Sequence, residues 1–172
     1  MEFIELMKTR YSVRKFDERP IEEEKLQKIL EAGRLAPTGV NAQPQRIFVL
    51  KSEDAITKIR RATKMAFNAP VVLLICYDKT VSWKAVNFGE DYDVGEMDAS
   101  IVTSAMMMQA TELGVGSLWV RGYNTQNILN EFPLPENIVP VCLLDLGYPA
   151  EDCVPSPRHE QRFPLSETVT EL

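Results

Sequence analysis

Residues 71–77 read VVLLICY and follow Pro70. The seven positions are apolar without alternation, which is the pattern of a central strand buried on both of its faces. Residues 141–148 read VCLLDLGY and show the same pattern, with Pro140 at the predicted start of the strand. Two shorter segments, 45–50 and 115–120, also have the character of strands. The sequence therefore predicts a sheet with two buried central strands.

Helical spacing separates these strands along the chain. The segments with apolar residues near a 3.6-residue period are 2–9, 21–35, 53–65, 95–113 and 125–131. Segment 95–113 is apolar around most of its circumference, with Met97, Ile101, Ala105 and Met108 on one face. Such a helix lies in an interior or at a subunit interface. Helices interleaved with buried strands predict a single α+β domain over residues 1–172, with helices on both faces of a sheet.

Composition narrows the class of protein. The 172 residues carry 19 Lys and Arg against 25 Asp and Glu, a net charge of −6, which argues against binding to nucleic acid or to an anionic membrane surface. Apolar runs are too short to cross a bilayer. Cys76, Cys142 and Cys153 form no CxxC pair, which favours a reducing, cytoplasmic location over a disulfide scaffold.

Residues for protein-based catalysis are scarce. The single histidine, His159, lies in a proline-rich tail, and no nucleophile-elbow motif accompanies it, which argues against a catalytic triad. No metal-ligand spacing is present. The acidic run in residues 90–98 is interpreted as a solvated loop that leads into an acidic first helical turn. Neither a Rossmann GxGxxG nor a P-loop motif occurs. We therefore predict no catalytic side chain and no metal site.

Hydrogen-bond donors are concentrated in the segment RYSVRKF, residues 10–16. In an extended conformation Arg10, Ser12 and Arg14 project from one side, while Tyr11, Val13 and Phe16 are mostly left to pack. Guanidinium groups offer a charged, planar fork that suits phosphate oxygens. An anion site and a solvated basic turn both remain compatible with these residues alone.

Two loops carry further polar groups. Asn41 and Gln43 are two residues apart, so an extended loop would point both amides the same way, toward the N–H and C=O edge of a pyrimidine-like ring. Arg121 and Gly122 directly follow a strand, where a glycine permits close approach to a flat ligand. Ordinary loop amides and an ordinary turn glycine are the alternatives.

Several motifs in this order resemble the FMN-dependent nitroreductase family. They are RYSVRKF, APTGVNAQPQ before IFVL, APVVLLICY, LGVGSLWVRGYN, VCLLDLGYPAE and a tail with an Arg just ahead of Pro-Leu, and they extend over about residues 5–168. The chain is similar to the compact members. The resemblance implies a three-layer α/β/α sandwich with a mixed central sheet, in a domain-swapped homodimer with FMN at the subunit interface.

The resemblance also implies roles for individual residues. Arg10, Ser12 and Arg14 match residues that hold the FMN phosphate and ribityl chain, and Tyr11 between them is included among the cofactor-binding residues. Arg162 matches a C-terminal basic residue at the phosphate, and Arg158 is a second candidate there. Trp119, Val120, Arg121 and Gly122 match the segment along the isoalloxazine ring. Pro37, Thr38, Asn41 and Gln43 match a loop that reaches the flavin from the partner subunit, and Asn68 matches a further flavin contact.

Function follows from the resemblance as an expectation. NADH or NADPH would reduce FMN in a ping-pong cycle, and a small acceptor such as a nitroaromatic or quinone would reoxidise it. Residues 79–95 would shape the acceptor pocket. The chain departs from relatives at Arg121, whose charge would favour an anionic donor or acceptor, and at Glu160, where some relatives carry a Lys. An FMN-binding storage or sensor module, and a structural domain without cofactor, are the alternatives.

Overall fold

A computed structural model describes residues 2–89 and 92–172 of the chain. Its six helices are α1 (Phe3–Thr9), α2 (Glu23–Leu35), α3 (Glu53–Ala62), α4 (Gly95–Glu112), α5 (Thr125–Glu131) and α6 (Leu165–Thr168). Its four strands are β1 (Gln45–Leu50), β2 (Val71–Asp78), β3 (Gly116–Val120) and β4 (Ile138–Gly147). Short 3₁₀ turns occur at Gly39–Asn41, Lys64–Ala66 and Ala85–Phe88. The predicted α+β class is confirmed.

The sheet has the strand order β1-β2-β4-β3, so β2 and β4 occupy the centre as predicted. Every ladder between these described strands is antiparallel. The expected mixed sheet is therefore antiparallel in its regular part. Its parallel component is an isolated bridge between Ser12 and Ser117, where the N-terminal segment lies along β3.

Alternating residues of the central strands face two separate apolar clusters. Val72, Leu74 and Leu143 pack beneath α3 and α5, where Ile59 and Ile128 are fully buried. On the opposite face the neighbouring strand residues pack beneath α2 and α4. Helices thus cover both faces of the sheet, which confirms the three-layer arrangement.

Strand β4 starts earlier than predicted. It begins at Ile138, so that Pro140 lies inside the strand rather than at its start. Pro140 is opposite Cys76, at the point where the pairing between β2 and β4 shifts register. A proline is tolerated inside a sheet at such a bulge because the ladder there does not need its N–H group.

Helix α4 ends as predicted, because Gly114 adopts a left-handed φ of 71° just beyond it. Val102 and Met106 are fully buried, whereas Met97 and Ile101 are 58% and 44% exposed. Met106 fits because α2 has no side chain at Gly33, where a Cβ would lie 2.8 Å from Met106 Cγ. The face that contains Met97 and Ile101 thus stays outside the core of the subunit.

The described part of the segment before α4 contains little regular structure. Residues 79–95 include the Ala85–Phe88 turn and a bridge between Lys84 and Asp93. Glu90 and Asp91 of the predicted acidic run lie outside the described residues.

Among the described residues, no helix combines the length and apolar character required to traverse a bilayer.

Candidate functional site

The N-terminal segment is fixed against the end of the sheet. Val13 donates its N–H to the carbonyl of Ser117 at 3.0 Å, and both Val13 and Phe16 are buried as predicted. The side-chain amide of Asn68 accepts from the N–H of Phe16 at 3.0 Å and donates to its carbonyl at 2.7 Å. Asn68 therefore holds the segment in place with the groups that were expected to contact a flavin.

This anchoring directs the predicted donors into a cavity of about 250 Å³. Two distant parts of the chain line it, the N-terminal segment and the C-terminal tail. The lining residues are Arg10, Tyr11, Ser12, Arg14, Ser156, Arg158, His159 and Arg162. The structure thus brings Arg10, Ser12, Arg14 and Arg162 together with Tyr11 and Arg158. Glu160 lines neighbouring hollows instead of this cavity. Ser156 and His159 were not predicted there, although the basic tail was a signal for them.

The cavity holds an uncompensated positive charge. Among the described residues, no carboxylate lies within ion-pair distance of Arg10, Arg14, Arg158 or Arg162. Burial lowers the pKa of Arg10, and the nearby charge of Arg162 lowers it further. Guanidinium groups nevertheless stay protonated near neutral pH. Four such groups in a chain with a net charge of −6 give this cavity the chemistry to hold a polyanion.

Tyr11 borders the same cavity. Burial raises the pKa of its phenol, and the adjacent Cys153 thiol raises it further, so that Tyr11 is a neutral donor near neutral pH. Its ring meets the ring of His159 edge-on, with centroids 6.2 Å apart. The aromatic contact joins the N-terminal segment to the tail.

The loop after α2 is not extended, contrary to expectation. Val40, Asn41 and Gln43 have φ values of 45°, 57° and 51°, all in the left-handed region. Thr38 Oγ1 accepts the N–H of Gln43 at 3.0 Å, and Asp98 Oδ1 accepts the N–H of Gly39 at 2.9 Å. The loop curls because these bonds close it on itself and tie it to α4, so Asn41 and Gln43 do not follow the alternation of a strand. Asn41 and Gln43 are exposed, as is Pro37 ahead of the loop.

Asp98 lies in the acidic first turn of α4, as predicted. It is only 3% exposed, because the loop folds over it. Its Oδ2 atom has no hydrogen-bond partner among the described residues. The N-terminal end of α4 provides partial positive charge that offsets burial of the carboxylate.

The loop and the arginine-rich cavity lie at opposite ends of α4. Arg10 and Tyr11 line a second hollow with Thr111 and Gly114 at the C-terminal end of the helix. The loop is bonded to Asp98 in the first turn. At 1.5 Å per residue these ends are roughly 24 Å apart. The structure therefore does not bring Thr38, Asn41 and Gln43 together with Arg10 within one chain.

The remaining predicted residues lie at the end of β3. Val120 is buried in the cluster under α3 and α5, so only its backbone is available to a ligand. Trp119 points to the other face and is 49% exposed. The exposed Arg121 guanidinium lies 5.0 Å from the centroid of the Tyr123 ring, and Gly122 is exposed next to Met65. This strand end offers an aromatic surface and a cation.

Comparisons with known proteins agree with this architecture. The model of the nitroreductase family matches residues 7–67 and 62–148. A crystal structure of a nitroreductase family protein from Clostridium difficile 630 is 43% identical, covers 99% of this chain and 98% of its own, and has a TM-score of 0.91.

Two curated relatives also match over most of the chain. A protein of Methanothermobacter thermautotrophicus, named provisionally as an NADH dehydrogenase/NAD(P)H nitroreductase, is 31% identical over 88% of this chain and 80% of its own length. The FMN reductase [NAD(P)H] of Bacillus subtilis is 27% identical over 93% of this chain and 71% of its own. With its motifs, its layers and its sequence in agreement, the chain belongs to the nitroreductase family.

Proposed function

We propose that two copies of this chain form an FMN-dependent oxidoreductase that takes electrons from NADH or NADPH and passes them to a nitroaromatic, quinone or similar small acceptor. The observation that carries the proposal is a cavity with four guanidinium groups that have no carboxylate within ion-pair distance in the described part of the chain. The names of relatives, an FMN reductase [NAD(P)H] and an NAD(P)H nitroreductase, support this cofactor and these donors.

The donor set of the cavity fits a phosphate monoester. Arginine forks pair with phosphate oxygens in two parallel hydrogen bonds, and the hydroxyls of Ser12 and Ser156 add neutral donors. Because phosphate carries nearly two negative charges at pH 7, it relieves the repulsion between Arg10 and Arg162. A neutral ligand would leave that repulsion in place.

The chain binds and orients the cofactor, while bound FMN supplies the redox chemistry. Arg10, Ser12, Arg14 and Arg162, with Tyr11, would hold its phosphate and ribityl chain, and Arg158 would assist. Trp119, Val120, Arg121 and Gly122 would lie along the flavin ring, with Val120 acting through its backbone. No protein nucleophile is required, which agrees with the sparse catalytic inventory.

A second subunit would complete the site. The roughly 24 Å between the cavity and the loop places Pro37, Thr38, Asn41 and Gln43 out of reach of a flavin held by the same chain. Apolar surface is exposed on α4 at Met97 and Ile101 and in the tail at Phe163 and Leu165. Covering this surface with a second copy would bring the loop of one subunit to the cavity of the other.

The assembly has a direct test. We expect the protein to elute as a dimer in gel filtration at micromolar concentration. Ile101→Glu would place a charge in the proposed interface and shift the protein toward a monomer that retains little FMN. Glu112→Gln on the same helix is a matched control that should remain dimeric. Elution of the unaltered protein as a monomer would contradict the shared site.

The phosphate role is tested by Arg14→Ala. We expect FMN binding to weaken by on the order of 1.5–3 kcal/mol, the value of a hydrogen bond to a charged group, while affinity for riboflavin, which lacks the phosphate, is unchanged. Arg34→Ala is a suitable control, because Arg34 is exposed and pairs with Glu31 on α2. An unchanged FMN affinity in Arg14→Ala would remove the phosphate from this cavity.

Turnover separates an enzyme from a storage or sensor module. Anaerobic mixing of the FMN-loaded protein with NADH or NADPH should bleach the flavin rapidly in a stopped-flow experiment. Mixing the reduced protein with each of a series of acceptors should then restore the yellow colour. A protein that stays yellow with both donors would favour the storage or sensor alternative. A colourless protein that does not bind added FMN would contradict both.

A further inference from the structure

The C-terminal end of α1 fixes both halves of the arginine-rich cavity. The N–H of Arg10 donates to the carbonyl of Leu6 at 3.1 Å as the helix ends. The carbonyl of Lys8, in the last turn of the same helix, lies 3.0 Å from His159 Nε2 in the tail. One helix end thus holds an arginine directly and the tail through a single imidazole.

The ring of His159 must donate in this contact, because a backbone carbonyl only accepts. Its Nε2 atom therefore carries a proton whether the ring is neutral or charged. The edge-on contact with Tyr11 supports the same ring orientation from the N-terminal segment. The imidazole is half-buried. Both of its contacts, the Lys8 carbonyl and the Tyr11 ring, belong to the N-terminal part of the chain.

The backbone of the same residue positions a cavity arginine. The carbonyl of His159 accepts from Arg162 Nη1 at 2.6 Å, and the carbonyl of Gln161 accepts from the same atom at 2.7 Å. The N–H of His159 donates to Ser156 at 2.8 Å and closes the turn that carries Arg158. A displacement of His159 would therefore move both tail arginines.

We infer that His159 is a positioning residue for the anion site: it pins the turn 156–162 to the end of α1 and so sets the spacing between the tail arginines and the N-terminal arginines. The inference rests on the proposed function only in taking the FMN phosphate as the natural anion. Repulsion among the guanidiniums opposes this arrangement, so the hydrogen bond from His159 Nε2 to the Lys8 carbonyl holds the tail before any anion arrives.

The test compares His159→Leu with His159→Gln in the full-length protein freed of flavin. Leu removes the donor, whereas the amide of Gln can still donate to Lys8. We expect His159→Leu to raise the Kd for FMN about tenfold, the value of one hydrogen bond, and to leave the Kd for riboflavin within about twofold. His159→Gln should recover most of the FMN affinity. These results would show that the loss of affinity is confined to the phosphate group of FMN.

Inorganic phosphate provides a second measurement that does not depend on flavin chemistry. Phosphate should raise the melting temperature of the unaltered protein and of His159→Gln, and raise it much less in His159→Leu. If the unaltered protein binds neither flavin, the proposed function fails, but a His159-dependent shift with phosphate still supports this inference. Equal losses of FMN and riboflavin affinity, or phosphate shifts that are the same in all three proteins, would overturn it.

Discussion

Asp145 offers the sharpest prediction about the energetics of the fold. It lies in the middle of β4, opposite Val72 and Leu118 on the neighbouring strands, and is fully buried on the sheet face covered by α3 and α5. Neither carboxyl oxygen has a hydrogen-bond partner in the described part of the chain. Removal from water raises the pKa of Asp145 from 3.8 to about 8. The side chain is therefore a neutral acid in the folded protein at pH 7.

The sign of the effect on stability follows from proton linkage. Between pH 3.8 and 8 the folded state holds a proton that the unfolded state has lost, so stability falls as pH rises through this window. Each pH unit changes the free energy of unfolding by about 1.4 kcal/mol. Across the whole window the loss approaches roughly 6 kcal/mol, which is comparable with the total stability of many domains.

Replacing Asp145 with Asn keeps the shape and removes the ionisation. Urea unfolding at pH 5, 6, 7 and 8, followed by tryptophan fluorescence at one protein concentration without FMN, gives the free energy of both proteins. We expect the advantage of Asp145→Asn over the unaltered protein to grow by about 1.4 kcal/mol for each pH unit between pH 5 and 7, and by less between pH 7 and 8, where the folded carboxyl begins to ionise. Asp145→Leu, which also removes the two polar atoms, should be the more stable protein at pH 8.

This comparison isolates Asp145, because the other carboxyl groups with strongly shifted pKa values titrate at much lower pH. Hydrogen bonds lower the pKa of Glu22 and of Asp78 to about 2, so their contributions change only in acid and are shared by every variant. Parallel pH profiles for the unaltered protein and Asp145→Asn would show that Asp145 ionises normally. The Asp145 carboxyl would then have to be in contact with water in the folded protein.

Three further substitutions test local features of the fold. Ser52→Ala removes the side-chain oxygen that accepts from Ala55 N–H at the start of α3, and urea unfolding at pH 7 should show a loss of about 1 kcal/mol; no loss would mean that the cap is not formed. Gly114→Ala forces a Cβ into a φ of 71° after α4, and the same assay should show a loss of about 1 kcal/mol, whereas an equal or higher stability would contradict the left-handed turn. Tyr148→Phe removes the main hydrogen bond that lowers the pKa of Glu22, so NMR titration should find that pKa closer to 4.5, and an unchanged value would assign the effect to the remaining partners.

Elements whose signal is local were predictable from the sequence. Strand β1 was predicted at residues 45–50 and has those bounds, and helix α5 was likewise placed at 125–131. The buried character of β2 followed from seven apolar residues without alternation. The errors came where a distant element decides the outcome. Pro140 was placed at the start of β4 rather than inside it, because the register shift that accommodates it belongs to the pairing with β2.

The candidate site likewise contains residues that could be predicted from the sequence and residues that could not. The family resemblance implied which arginines would converge, and the structure brings Arg10, Arg14 and Arg162 together. Their supports were not predictable, because each depends on a contact across the chain. Asn68 is 52 residues from Phe16, Asp98 is 59 from Gly39, and His159 is 151 from Lys8. A single sequence contains no periodic signal for such pairs.

In the loop after α2, these long-range contacts hold a strained backbone conformation. Three non-glycine residues in four positions, including the β-branched Val40, adopt left-handed φ values, each of which costs on the order of 1 kcal/mol. The bonds from the Gln43 N–H to Thr38 Oγ1 and from the Gly39 N–H to Asp98 Oδ1 hold that conformation before any ligand binds. A loop that is already fixed loses little conformational entropy when it binds a ligand. Strain at this point is therefore consistent with a preorganised contact, and the buried Asp98 carboxylate keeps the strained loop from relaxing.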